Sequence, residues 1–122
     1  MSDSIFDLVY TKTIFNKVSE HLLKQNAKST NKKLCLYRDG NGMKCAIGCL
    51  ISDEFYTPEL EGKCLLWDGD KTAVFRALEK SGIYTDKLPI SLLSALQQIH
   101  DTESPSDWPD SLTYLKCRYN LT

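Results

Sequence analysis

The sequence predicts a mainly α fold: a small single-domain helical bundle over residues 1–122, with a short β-hairpin. Leucine outnumbers valine plus isoleucine by 17 to 10. That leans toward helix, because unbranched stems lose little rotamer freedom there and β-branched ones lose more. Four segments carry apolar residues at helical spacing. One tetrapeptide, Asp39-Gly40-Asn41-Gly42, is made of residues that accept the positive φ of tight hairpin turns.

In chain order, Ile14, Phe15, Val18 and Leu22 fall on one face of a first helix, with Thr11 or Thr13 as N-cap and residues 26–31 as a polar exit. Residues 34–38 read as a short strand leading into the Gly-rich turn. The following run, Met43 to Ile51, is apolar on every side and so buried all round; it reads as a short central helix, with a strand as the competing assignment. Thr57 to Gly62 holds an N-cap, a proline at the first helical position, acids in the first turn and a closing glycine, which predicts a single helical turn. Lys63 to Trp67 reads as extended, and Asp68-Gly69-Asp70 as a turn capping a helix over Lys71–Ser81, with Val74, Ala77 and Leu78 inward and Gly82 as its stop. A further helix opens at Pro89 or Ser91 and runs to about His100 on Leu92, Leu93, Leu96 and Ile99. The last begins near Ser106 or Asp107 and carries Trp108, Leu112, Leu115 and Tyr119 at spacings of four, three and four.

Charge argues against two function classes. With 15 Lys+Arg against 16 Asp+Glu the net charge is −1. Nucleic-acid binding by phosphate neutralisation needs a basic excess, and mimicry of DNA a large acidic one. Residues 1–33 carry a balance of +3 and residues 34–62 one of −3, blocks modest enough to be solvated faces. The longest apolar runs fall far short of the roughly 20 residues of a membrane span, and the N-terminus is acidic, without a signal-peptide pattern. Five cysteines cannot all pair within the chain. The expectation is a cytoplasmic protein with free thiols and no membrane partner.

Three chemistries are open to the stretch from Tyr37 to Ile51, each beside a plainer packing explanation. A Gly-rich turn entering a helix can cradle an anion, with Tyr37, Arg38 and Lys44 as ligand-binding residues; the G-x-x-x-x-G-K-[ST] phosphate-loop pattern is missing. Cys45 is the candidate nucleophile, with His100 and Asp101 as base and orienter, although a cysteine in an apolar run also behaves as a small hydrophobe. Cys35, Cys45, Cys49 and Cys64 are candidate metal ligands, but their spacing, C-x9-C-x3-C-x14-C, lacks the C-x2-C knuckle of structural zinc sites. His21 and His100, each at the edge of a helix's apolar face, read first as hydrogen-bonded boundary residues. Tyr56 and Trp67 are candidate partner-binding anchors if exposed, and packing residues otherwise.

With these residues in view, the sequence resembles a group of small uncharacterised proteins encoded by bacteriophages and prophages. The likeness rests on four stretches: Phe15-x-x-Val18-x-x-His21-Leu22-x-x-Gln25; Cys35 through Tyr37-Arg38 and Gly42 to Lys44-Cys45-Ala46-Ile47-Gly48-Cys49-Leu50-Ile51; Glu61-Gly62; and Leu93 to Trp108 with Leu96, Gln97, Ile99, His100 and Asp101. Ser52 stands where similar proteins are expected to carry proline. The resemblance implies a phage or mobile-element accessory gene and brings no catalytic residues. The expectation that follows is a non-catalytic accessory protein that binds a host protein in the bacterial cytoplasm, an anti-defence candidate that inhibits a defence or housekeeping factor. The alternatives are a binder or sponge for a small anionic ligand or nucleotide at residues 37–49, and a thiol-dependent hydrolase or transferase built on Cys45 and His100. No cofactor is implied, and self-association into a homo-oligomer is left open.

Overall fold

The computed structural model describes residues 7–31, 34–63, 66–67 and 70–122; the side chains at 31, 34–35, 66–67 and 70–71 lie outside that description. Four α-helices carry the fold: α1 (Leu8–Gln25), α2 (Ala73–Lys80), α3 (Ile90–Thr102) and α4 (Trp108–Arg118). Helices α1 and α3 both pack against α4. Between α1 and α2 runs a long irregular segment that contains the Tyr37–Ile51 stretch.

Helix α1 begins five residues before Thr13. Asp7 is its N-cap: the carboxylate accepts from Tyr10 N at 3.0 Å, and the buried Thr11 returns its hydroxyl to Asp7 O at 2.7 Å. The helix ends on Asn26, which takes the left-handed conformation at φ 49°. The buried residues Ile14, Phe15, Val18 and Leu22 match the expected face. Helix α2 is capped by the Thr72 hydroxyl and buries Val74, Phe75, Ala77 and Leu78, and Gly82 follows it at φ 89°. Helix α3 buries Leu92, Leu93, Leu96, Ile99 and also His100. Helix α4 is preceded by a 3-10 turn, Pro105–Asp107, and buries Trp108, Leu112 and Leu115. Tyr119, expected on that face, is half-buried just beyond it.

The expected hairpin is not formed. Across Asp39–Gly42 there is one isolated antiparallel bridge, Arg38 to Lys44, and no ladder. Strand pairing among the described residues is limited to two contacts of two residues a side: β1 (Thr30–Asn31) with β2 (Leu34–Cys35), and β3 (Leu66–Trp67) with β4 (Asp70–Lys71). The turn itself is closed by a side chain. The Asp39 carboxylate accepts from Asn41 N at 2.8 Å and Met43 N at 3.0 Å, and Gly42 supplies the positive φ of 86°. The central helix expected over Met43–Ile51 is reduced to one 3-10 turn, Gly48–Leu50. All-round burial holds for Cys45, Ala46, Ile47, Leu50 and Ile51, each at most 3% exposed. Apolarity on every side reports burial; it does not report which backbone is buried. The single turn expected at Thr57–Gly62 is present as a 3-10 turn, Pro58–Leu60.

Candidate binding site at the central loop

The loop from Tyr37 to Ile51 is irregular, so its backbone N–H and C=O groups need partners from elsewhere, since a buried unpaired one costs about 1–3 kcal/mol. They come from three directions. Helix α1 supplies His21 and Gln25, one turn apart. Gln25 pairs with Lys44 as a strand would, its Oε1 accepting from Lys44 N and its Nε2 donating to Lys44 O, both at 2.9 Å. His21 Nε2 donates to that same carbonyl at 2.9 Å, which places its proton on Nε2. Glu61 accepts from Tyr37 N at 2.9 Å, from Arg38 N at 3.1 Å and from the Tyr56 hydroxyl at 2.6 Å. Helix α3 supplies Gln97, whose Oε1 accepts from Ile47 N at 3.0 Å.

Inside the loop, Tyr37 O accepts from Cys45 N at 3.1 Å, and Gly48 packs directly on that peptide: a Cβ at Gly48 would fall 2.1 Å from the Tyr37 oxygen. Glycine is required there for close approach, as φ is not in the left-handed region. Arg38 ties the two ends together. Its Nη2 donates to Ile51 O at 2.6 Å, its Nη1 pairs with Asp53 at 2.7 Å, and the guanidinium lies 4.7 Å from the centre of the Tyr56 ring. Lys44 Nζ approaches the same Asp53 carboxylate at 3.9 Å.

These contacts decide how the candidate residues stand. Cys45 is fully buried, its sulfur accepting from Gly48 N at 3.2 Å, and burial pushes its thiol from 9.0 up to about 12. A nucleophilic cysteine needs the opposite shift. The thiol of Cys49 is likewise raised to about 12 by burial, against the pull of Lys17 and Lys44. His100 is fully buried and engaged on both sides. Ser29 N donates to Nε2 at 2.9 Å, so the proton sits on Nδ1, which faces Asp101 Oδ1 at 2.8 Å. Gln97 Nε2 also donates to Asp101 Oδ1, at 2.8 Å. His100 therefore ties α3 to residue 29, Asp101 steadies the Gln97 side chain that bonds the central loop, and the imidazole lone pair a base would use is turned to a backbone N–H. Trp108 stacks on the same imidazole at 5.7 Å and donates to Ile99 O at 3.1 Å.

The anion cradle is met from within: the Asp39 carboxylate takes the N–H groups of Asn41 and Met43, and Arg38 is paired with Asp53. Among the described residues, no group of three His, Cys, Asp or Glu side chains could hold a metal ion. The side chain of Cys35 and all of Cys64 lie outside those residues. Tyr56 is half-buried, with its ring under Arg38 and its hydroxyl on Glu61; burial and that carboxylate raise it to about 12, so it packs rather than projects. The Trp67 side chain lies outside the described residues.

What stays open is a cleft of about 430 Å³ between the loop and α3, walled by Tyr37, Ile47, Gly62 and Lys63 on one side and by Gln97 and Asp101 on the other. The Tyr37 hydroxyl closes one end by bonding Lys63 O. The sequence singles out Tyr37 and Asp101 here for other chemistry, names Gln97 only within the resembling stretch, and gives Lys63 no role beyond an extended segment. The loop's backbone thus draws its side-chain partners from His21 and Gln25 of α1, from Glu61 and from Gln97 of α3. No family model, curated protein or solved structure matches the chain. No helix among the described residues is long and apolar enough to cross a membrane.

Proposed function

We propose that the chain is a non-catalytic binding protein that receives a segment of a partner protein in the cleft between the central loop and α3. In the context implied by the resemblance, it is a phage or prophage accessory protein, and the partner is a host protein such as a defence or housekeeping factor. One observation supports this reading above the others. Cys45, Asp39 and the two terminal nitrogens of Arg38 are engaged in contacts inside the chain, while an open, mixed-polarity cleft is left beside the loop. Cys45 without an accessible thiolate and His100 without a free lone pair weigh against a hydrolase. Arg38 bound to Asp53 and a turn filled by Asp39 weigh against a small anionic ligand, which would also meet the Asp101 carboxylate in the cleft.

The test is capture from bacterial lysates with tagged wild-type protein and with Lys63→Glu and Lys63→Trp, both at an exposed position on the cleft wall. A partner held by the wild type and lost from both variants is expected. Equal capture by all three, or a melting temperature raised by a nucleotide with no protein captured, contradicts the reading.

A further inference from the structure

Helix α4 presents an outer face whose charges are ordered from end to end. Asp110, Tyr114 and Arg118 follow one another at four-residue intervals, all three are exposed, and Tyr114 is 66% exposed. Residues spaced by four lie on one side of a helix, and eight residues span about 12 Å. The order acid, aromatic, base reads as its own complement when the helix is reversed. Beside Tyr114 a groove of about 770 Å³ runs between α3 and α4, with Ala95, Ile99 and Leu115 in its floor. Two polar pairs on its rims are already closed within the chain: Ser91 with the Tyr119 hydroxyl at 2.6 Å, and Ser111 with Glu103. Covering the groove therefore strands none of these four side chains.

We propose that a second copy of this chain docks on the α4 face, the two α4 helices antiparallel about a two-fold axis through Tyr114. Asp110 of each copy then faces Arg118 of the partner subunit, the two tyrosine rings meet at the axis over the apolar groove floor, and the helix dipoles oppose each other favourably. Like charges face each other if the helices run parallel, which selects the antiparallel arrangement. The central-loop cleft lies beside this groove on α3, where Ser94, Gln98 and Thr102 line both, so the dimer carries two such clefts. This proposal stands or falls independently of what enters them.

The experiment is light scattering across a concentration series, with circular dichroism as the check on folding. The wild type reaches twice the 13.9 kDa chain mass, Asp110→Arg and Arg118→Asp each shift the series to the single-chain mass, and the double reversal restores the dimer. In a Cys117→Ser background, Tyr114→Cys cross-links the dimer on oxidation. A wild-type mass of one chain throughout, a dimer indifferent to the single reversals, or a double reversal that does not recover it overturns the proposal. Lys63→Glu leaves the dimer mass unchanged, which separates this result from the cleft experiment.

Discussion

A methyl group on Gly48 would stand 2.1 Å from the carbonyl oxygen of Tyr37, whereas one on Gly40 would meet nothing within 4 Å. The oxygen cannot retreat, because Tyr37 is pinned through its own N–H to Glu61 and through its carbonyl to Cys45 N. Gly48→Ala is therefore expected to destabilise by about 3 kcal/mol, the upper end of what overpacking typically costs, and Gly40→Ala by under about 0.5 kcal/mol. Urea unfolding of the two variants checks the contrast. Cys45 gives a second prediction at this scale. A buried thiol raised to about 12 has almost no thiolate near neutrality, so iodoacetamide should label the exposed Cys117 in the native protein and reach Cys45 only after denaturation. Mass spectrometry of labelled peptides reads this directly, and rapid native labelling of Cys45 would reopen the nucleophile reading.

An irregular element of fifteen residues survives in a core only if other elements satisfy its backbone; Glu61 bonds two of its backbone groups, and so does Gln25. Its carboxamide bonds Lys44 N, Lys44 O and Ala27 O. Gln25→Leu keeps the bulk and removes all three bonds; Lys44 O keeps His21, but Lys44 N loses its partner, at an expected cost of about 1–3 kcal/mol. Hydrogen exchange should show the loss first at residues 43–47, ahead of α3 and α4; uniform loss across the chain would contradict this. Such long-range pairing explains what was legible in the sequence. The apolar faces of α2, α3 and α4 could be read because helical spacing is a local property, and so could the burial of Cys45 to Ile51. The start of α1 was misplaced because Leu8 and Val9 are exposed, so no apolar face announces its first turn, and the cap is Asp7. The central helix was misassigned because its rivals are settled by Gln25, Glu61 and Gln97, 19, 24 and 50 residues from the N–H groups they bond.

On the scale of the molecule, the three groups raised in and beside the loop set its response to base. Cys45 and Cys49 move from 9.0 to about 12 and Tyr56 from 10.0 to about 12 on folding. A raised group lends its stability fully below the unfolded value and loses it as pH climbs to the folded one. Stability should hold up to pH 9 and fall between pH 9 and 12, and Cys45→Ala with Cys49→Ala should flatten that decline relative to their own neutral values; urea midpoints across pH measure it. Trp108 ties α4 to α3 through its stack on His100 and its bond to Ile99 O, with no exposed surface. Its replacement by alanine is expected to cost about 3–5 kcal/mol, detected as loss of cooperative thermal unfolding or a large fall in its midpoint. Under the proposed function, recognition falls to the cleft beside the loop rather than to the loop itself. Hydrogen exchange of the protein with and without its captured partner tests that claim most directly. Protection is expected at residues 36–37, 62–63 and 97–102, the walls of the cleft; protection confined to the exposed face of α1, around Leu8, Val9 and Leu23, would contradict it.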